Sequence, residues 1–157
     1  MRRKMVRRLI TILTLMIGLA LIPTSPAWSS ASLTASASEV RGDVTSLVDE
    51  YEATYGPRVS PSERVELQAM TREARRDMNT LVRLTRKAER TNRRSDWQGA
   101  SRHYINIRQK GDERLADAQE IIAPQMSLTE QLSAWSQARS VMADLDSLGA
   151  QLARRAG

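Results

Sequence analysis

The sequence predicts an all-α protein: an antiparallel helical bundle of three long helices and one shorter N-terminal helix, after an N-terminal signal peptide. Three observations favour this fold. Apolar residues recur at steps of three and four from residue 38 onward, which is the period of a helix face. No useful length of chain alternates apolar and polar residues with the period of a strand. The connections between the amphipathic segments are short, as in bundles whose neighbouring helices are antiparallel.

Residues 1–27 have the composition of a secretory signal peptide. Residues 1–8 carry five cations, and an uncharged apolar run of 14 residues extends from Leu9 to Ile22. This run is shorter than the roughly 20 residues of a membrane span. A cationic start, a short apolar run and small residues after it are the pattern of an export signal.

The cleavage site is expected among the small residues that follow the apolar run. Ala27 and Ala31 are favoured because they lie nearer its end, and Ala37 is the latest candidate. An uncleaved N-terminal anchor is the alternative. We expect residues 28–37, which are rich in Ser, Thr and Ala, to be disordered, and residues 38–157 to form a single helical-bundle domain.

The signal peptide changes the meaning of the net charge. The chain has 24 Lys and Arg against 18 Asp and Glu, with a pI near 10.4. Five of those cations lie in residues 1–8, so 19 remain in an exported chain whose net charge is near +1. Export to the periplasm or the cell exterior, together with this small excess, argues against a nucleic-acid partner. The chain has no Cys, so a disulfide framework is also excluded.

Helix 1 is predicted over about 38–55. Its face is formed by Val40, Val44, Leu47, Val48, Tyr51 and Tyr55. Gly56 and Pro57 are expected to end it, with Gly56 in the left-handed conformation that closes many helices.

Helix 2 is predicted over about 61–93. Ser60 and Glu63 have the spacing of a capping box, and Pro61 suits the first helical position. The following apolar residues lie on one narrow seam: Leu67, Met70, Ala74, Met78, Leu81, Thr85 and Ala88.

Helix 3 is predicted over about 96–122, after a break near Arg93–Asp96 that no Gly or Pro marks. The break is inferred because the next apolar series is turned by roughly 110° from the helix 2 seam. Ser95–Gln98 has capping-box spacing, and one continuous long helix is the alternative. Folding back at this corner would bring Met78 near Gly111.

Helix 4 is predicted over about 127–154 and starts at a second capping box, Ser127 to Glu130. Gly149 should weaken its last turns, which we expect to fray. Its seam comprises Leu128, Leu132, Trp135, Ala138, Met142, Leu145 and Leu152.

The candidate binding site is a row of cations opposite the apolar seam of helix 2, termed the basic stripe. Several members are like-charge neighbours at i,i+4, which destabilises a helix by roughly 0.2–0.5 kcal/mol per pair. Residues 83–114 carry a net charge of +6 and residues 39–66 a net charge of −4. The stripe is either a solvated face partly covered by the acidic helix 1 or a site for an external anionic partner. Its members are Arg72, Arg76, Arg83, Arg86, Lys87, Arg90 and Arg94.

No motif for catalysis, a cofactor or a metal emerges. His103 is the single histidine, and metal sites usually need several ligands of matched spacing. A haem site formed by His103 with Met70, Met78 or Met142 is a less favoured alternative, because core methionines usually serve packing. The acidic group of Asp112, Glu113, Asp117 and Glu120 is interpreted as a solvated helix surface.

These observations predict an exported, non-catalytic envelope protein that binds an anionic partner as a chaperone-like or adaptor bundle. That partner is an envelope protein or an anionic envelope component, including a membrane surface. The alternative is an assembly subunit that forms homo-oligomers through its seams, with Trp97 and Trp135 as anchors.

Overall fold

A computed structural model describes residues 32–157 of the chain. This part consists of four α-helices and two short 3-10 helices and contains no strand, which confirms the all-α prediction. The predicted signal peptide, residues 1–27, lies outside the described residues. The helices are α1 (Leu33–Tyr55), α2 (Pro61–Thr91), α3 (Arg94–Ile122) and α4 (Leu128–Ala156), with 3-10 turns at Gly56–Arg58 and Ala123–Gln125.

Helix α1 begins five residues earlier than predicted. Ser32 caps it by accepting a hydrogen bond from the Ala35 amide at 3.1 Å. Leu33, Ser36 and Ala37 are buried, so the prediction of disorder is wrong for residues 33–37. Ser36 and Ala37 belong to a segment whose composition resembles a linker. Here their small side chains are buried and let neighbouring helices approach α1.

The connection from α1 to α2 differs from the prediction in one detail. Gly56 has φ −52°, so it is right-handed and opens a 3-10 turn that contains Pro57. The predicted capping box at the start of α2 is confirmed. The Ser60 amide donates to Glu63 Oε2 at 2.9 Å, and the Glu63 amide donates to Ser60 Oγ at 3.3 Å.

The corner between α2 and α3 confirms two separate helices and shows what separates them. Asn92 adopts a left-handed conformation with φ 49° and ψ 28°. Asparagine tolerates this conformation better than most residues other than glycine, so it ends α2 where a glycine would be expected. The capping box predicted at Ser95 is wrong, because α3 already begins at Arg94 and the Asp96 carboxylate binds Lys87 and Thr91 instead.

The connection from α3 to α4 is closed by side chains. The Ser127–Glu130 capping box is confirmed, with the Ser127 amide 2.6 Å from Glu130 Oε2. Gln131 Nε2 donates to the carbonyl oxygens of Ala123 and Met126, which fixes the 3-10 turn against the first turn of α4.

The main helix contacts form a closed ring in which α1 packs on α2, α2 on α3, α3 on α4, and α4 on α1. The buried apolar residues fall into two clusters. The smaller core cluster contains Tyr55, Leu67 and Ile122. The larger core cluster contains Leu33, Ala37, Val40, Met78, Leu81, Val82, Ala88, Trp97, Ala100, Ile107, Leu145, Leu148 and Leu152.

The predicted seam of α4 is buried only in its later part. Leu128 and Leu132 are 73% and 64% exposed, whereas Ala138, Leu145 and Leu152 are buried. This side of the first two turns of α4 is therefore exposed in the described structure, and periodicity alone does not reveal that, because the spacing continues unchanged.

Gly149 is buried, and the reason is a close contact with Tyr104. A Cβ atom on Gly149 would lie 2.1 Å from Tyr104 Cζ, far closer than atoms can approach. The Tyr104 hydroxyl donates to Asp146 at 2.8 Å, and burial together with this bond raises the pKa of Tyr104 to about 12. The expected fraying at Gly149 is wrong: the helix continues to Ala156, and the glycine provides space for the ring.

We predict that Gly149→Ala destabilises the protein. Overpacking costs about 1–3 kcal/mol, and replacing glycine in a helix gains up to about 1 kcal/mol, so the balance is a loss. The net loss, up to about 2 kcal/mol, should appear as a lower midpoint in urea unfolding followed by circular dichroism.

Gly99→Ala is the matched control, because nothing lies within 4 Å of a Cβ built at Gly99. That variant should be stabilised by up to about 1 kcal/mol through helix propensity alone. Equal stabilisation of both variants would show that Tyr104 does not restrict position 149.

Candidate functional site

All seven members of the basic stripe are exposed. The opposite face of α2 is buried and includes Leu67, Met78 and Leu81, so burial of the apolar seam turns the cations outward. From Arg72 to Arg90 the stripe spans 18 residues of helix, about 27 Å at 1.5 Å per residue.

Two members of the basic stripe make contacts within the chain. Lys87 Nζ lies 2.7 Å from Asp96 Oδ1, across the α2–α3 corner. Arg94 Nε donates to the Ala156 carbonyl oxygen at 3.1 Å and so ties the start of α3 to the end of α4. These two cations therefore stabilise contacts between the ends of helices.

In the part of the chain that the structure describes, the other five members have no such partner. Within residues 32–157, none of them has a carboxylate within 4.0 Å; they are termed the free arginines. They are Arg72, Arg76, Arg83, Arg86 and Arg90.

The acidic residues of α2 that could neutralise the free arginines face α3 instead. Arg114 of α3 forms ion pairs with Glu73 at 2.9 Å and with Asp77 at 2.8 Å. The side chains of Arg114 and Asp77 are each 17% exposed, so this pair is largely shielded from water. The sequence places Glu73 and Asp77 on the flank of α2, and the structure shows which residue they bind.

The acidic helix α1 covers little of the basic stripe. Within the described residues its ion pair to α2 joins Asp49 to Arg75, which is not a member of the stripe. Glu52 accepts a hydrogen bond from Gln68 at 3.1 Å. The alternative in which acidic helix 1 partly covers the stripe is therefore supported only by a contact beside it, at Arg75, and the free arginines are exposed.

A central apolar cavity is a second feature, and sequence reasoning missed it. Its volume is about 140 Å³, it is partly open to solvent, and all four helices line it. Periodicity identifies seam residues but not gaps between seams. The walls include Val48, Met70, Met78, Gly111, Leu115 and Met142.

Gly111 and Met78, which the sequence predicts to lie close together, both line the central cavity. The nearest side-chain atom to a Cβ built at Gly111 is Met142 Cε of α4, at 3.5 Å. Gly111 therefore also contacts α4, because α3 packs on α4 as well as on α2.

The less favoured haem arrangement does not assemble. Met70, Met78 and Met142 meet at the central cavity, but His103 does not line it. The His103 ring Nε2 lies 3.0 Å from the Asp77 carbonyl oxygen.

The acidic group on α3 is exposed at all four positions, as expected of a solvated surface. Within residues 32–157, no cluster of three or more His, Cys, Asp or Glu side chains is arranged to hold a metal ion. None of the helices in the same range combines the length and apolarity that crossing a bilayer requires.

Comparisons with known proteins give no family assignment. No protein-family model matches the chain, and searches of curated proteins and of solved structures found no match.

We predict that the Asp96 ion pair contributes pH-dependent stability. Bonds from Lys87 and Thr91 lower the pKa of Asp96 below its ordinary 3.8. A lowered folded-state pKa means that the contribution is present above the unfolded value and is lost as pH falls through the folded value. Asp96→Asn should therefore destabilise the protein at pH 7, and the difference from the wild type should shrink as pH falls below about 3.8.

Urea unfolding at a series of pH values between 7 and 2 measures this difference. Asp117→Asn, an exposed carboxylate on the same helix that forms no ion pair within the described residues, is the control and should show little change. If the difference in unfolding free energy between Asp96→Asn and the wild type stays constant down to pH 2, the stabilisation does not come from the ionised Asp96 carboxylate.

Proposed function

We propose that the chain is an exported, non-catalytic envelope protein, a chaperone-like or adaptor bundle whose basic stripe binds an anionic partner. Residues 1–27 would direct export to the periplasm or the cell exterior. The partner would be an envelope protein with an acidic patch or an anionic envelope component, including the head groups of a membrane surface.

We further propose that neighbouring helices are antiparallel. Contacts between α2 and α3 support this arrangement, since Thr91 meets Asp96 near the corner while Glu73, far from it, meets Arg114. Contacts between α3 and α4 follow the same order, with Arg94 at Ala156 and Gly111 at Met142.

The observation that carries the binding proposal is the set of free arginines. Like charges at i,i+4 destabilise a helix, and Arg72 and Arg76 are such a pair, as are Arg86 and Arg90. For the first pair, the nearby acids Glu73 and Asp77 could have offset this cost but bind Arg114. A face that is left positive at a cost to helix stability is suited to an external anion.

The start of α1 favours cleavage of the signal peptide before residue 32. Leu33 is 7% exposed and Ala37 is fully buried, so cleavage after Ala37 would remove two core side chains. We propose cleavage after Ala27 or Ala31. The intact mass of the exported protein tests this, and a mature chain that begins at Ser38 would contradict it.

Charge reversal of three free arginines should weaken partner binding. Exposed ion pairs contribute about 0.2–1 kcal/mol each, and reversal adds repulsion, so Arg83→Glu, Arg86→Glu and Arg90→Glu together should reduce affinity about tenfold or more. A photo-crosslinking residue at the exposed Asn79, between Arg76 and Arg83, would capture the partner in cells. Mass spectrometry then identifies it.

The matched control reverses three exposed cations elsewhere: Lys110, Arg139 and Arg154. It imposes the same change of net charge, and two of its positions lie on α4, which is not among the main neighbours of α2. Crosslinking from Asn79 should disappear when Arg83, Arg86 and Arg90 are reversed and should persist in the control. Binding of the identified partner should also weaken with added salt. Equal partner recovery from both variants would overturn the proposal.

A second candidate function is a homo-oligomeric assembly subunit. The observation that favours it is the exposure of Leu128 and Leu132, one turn apart on α4 and next to the half-buried Trp135. Trp97 is 4% exposed and buried in the larger core cluster, so it is excluded as an anchor. Light scattering of the exported protein tests this candidate, and a monomer at high concentration would reject it.

A further inference from the structure

The central cavity lies between the two core clusters. Met78, Ile107 and Leu145 of the larger cluster contribute to its walls, and Leu67 of the smaller cluster does so as well. Because all four helices line it, the space lies between the helices, with one side open to solvent, and is distinct from the basic stripe on the outer face of α2.

Gly111 provides part of this space, and packing does not require a glycine there. The nearest atom to a Cβ built at Gly111 is Met142 Cε at 3.5 Å, an ordinary van der Waals contact. This differs from Gly149, where the Tyr104 ring excludes any side chain. A glycine within a helix is unfavourable, so its effect at position 111 is to keep volume open.

Three methionines make the walls adaptable. Met70, Met78 and Met142 come from α2 and α4 and are flexible, polarisable side chains that adjust to irregular apolar shapes. Such side chains favour the binding of apolar groups whose outline varies.

Two charged residues line the cavity among the described residues, and only the cation is paired. Arg114 pairs with both Glu73 and Asp77, whereas Glu52 accepts a hydrogen bond from the neutral Gln68 amide, which does not cancel the charge of a carboxylate. A carboxylate on a ligand would find no unpaired cation among them, and burying an unpaired charge is strongly unfavourable. The lining therefore selects against anionic ligands.

From this geometry we propose that the central cavity binds a neutral apolar molecule about the size of benzene or of a six-carbon alkyl group. An apolar cavity of about 150 Å³ holds benzene, and this one measures about 140 Å³. The proposal is independent of the basic stripe and of its partner.

Methyl NMR of the exported protein, labelled with ¹³C at the methionine methyl groups, tests the proposal with benzene, n-hexane and hexanoate at pH 7. Benzene and n-hexane should produce saturable shifts at Met70, Met78 and Met142, and hexanoate should not. Met126 does not line the cavity, so its signal should stay constant and serves as the internal control. Both neutral ligands should also raise the melting temperature as their concentration increases.

Gly111→Leu should fill the cavity and reduce the benzene-induced shifts at least tenfold. Gly99→Leu is the matched control on the same helix, where nothing lies within 4 Å of a Cβ, and it should bind benzene as the wild type does. If Gly111→Leu does not fold, Ala74→Leu, at another lining position, replaces it. Absence of saturable shifts in the wild type, equal binding by the filled variant, or equal binding of hexanoate would each overturn the proposal.

Discussion

The ion pairs of Arg114 with Glu73 and Asp77 are the interaction that links the basic stripe to the central cavity. They join α3 to α2, and the Arg114 and Asp77 side chains are largely shielded, where charge pairing is stronger than at a fully solvated surface. The same contacts engage the two acids that lie within one helical turn of Arg72 and Arg76, at the N-terminal end of the stripe. They also satisfy the guanidinium group that would otherwise make the central cavity cationic. One arginine therefore affects the charge of an outer face and of an inner space.

The core is divided, and each part is held in a different way. In the larger core cluster small residues such as Ala37, Ala88 and Ala100 allow close helix approach, and Gly149 admits the Tyr104 ring. The smaller core cluster lies near the two 3-10 turns and is supported by hydrogen bonds, including one from the Tyr51 hydroxyl to the Ala134 carbonyl oxygen at 2.8 Å. The central cavity occupies the region between them, where Gly111 and the three methionines fill space incompletely.

Local signals in the sequence predicted the helices and two of their starts well. Both capping boxes depend on residues three apart, and such short-range bonds form whatever the rest of the fold does. The start of α1 could not be predicted in the same way, because burial of Leu33 depends on helices distant in sequence. The role of Asn92 was missed since many asparagines lie in ordinary helix or loop conformations. The outward position of the basic stripe followed from its angle to the seam, whereas the engagement of Glu73 and Asp77 depends on where Arg114 lies in space.

The length of α2 has a consequence for selectivity under the proposed function. Its cations from Arg72 to Arg90 extend over about 27 Å of one helix, and each alone would hold an anion weakly in water. A partner with several anionic groups at similar spacing would engage them together, and every contact after the first would be an intramolecular event at high effective concentration. Affinity would then rise multiplicatively with the number of matched charges. Such a helix would discriminate by valency: small anions would bind weakly, and polyvalent ones would be retained.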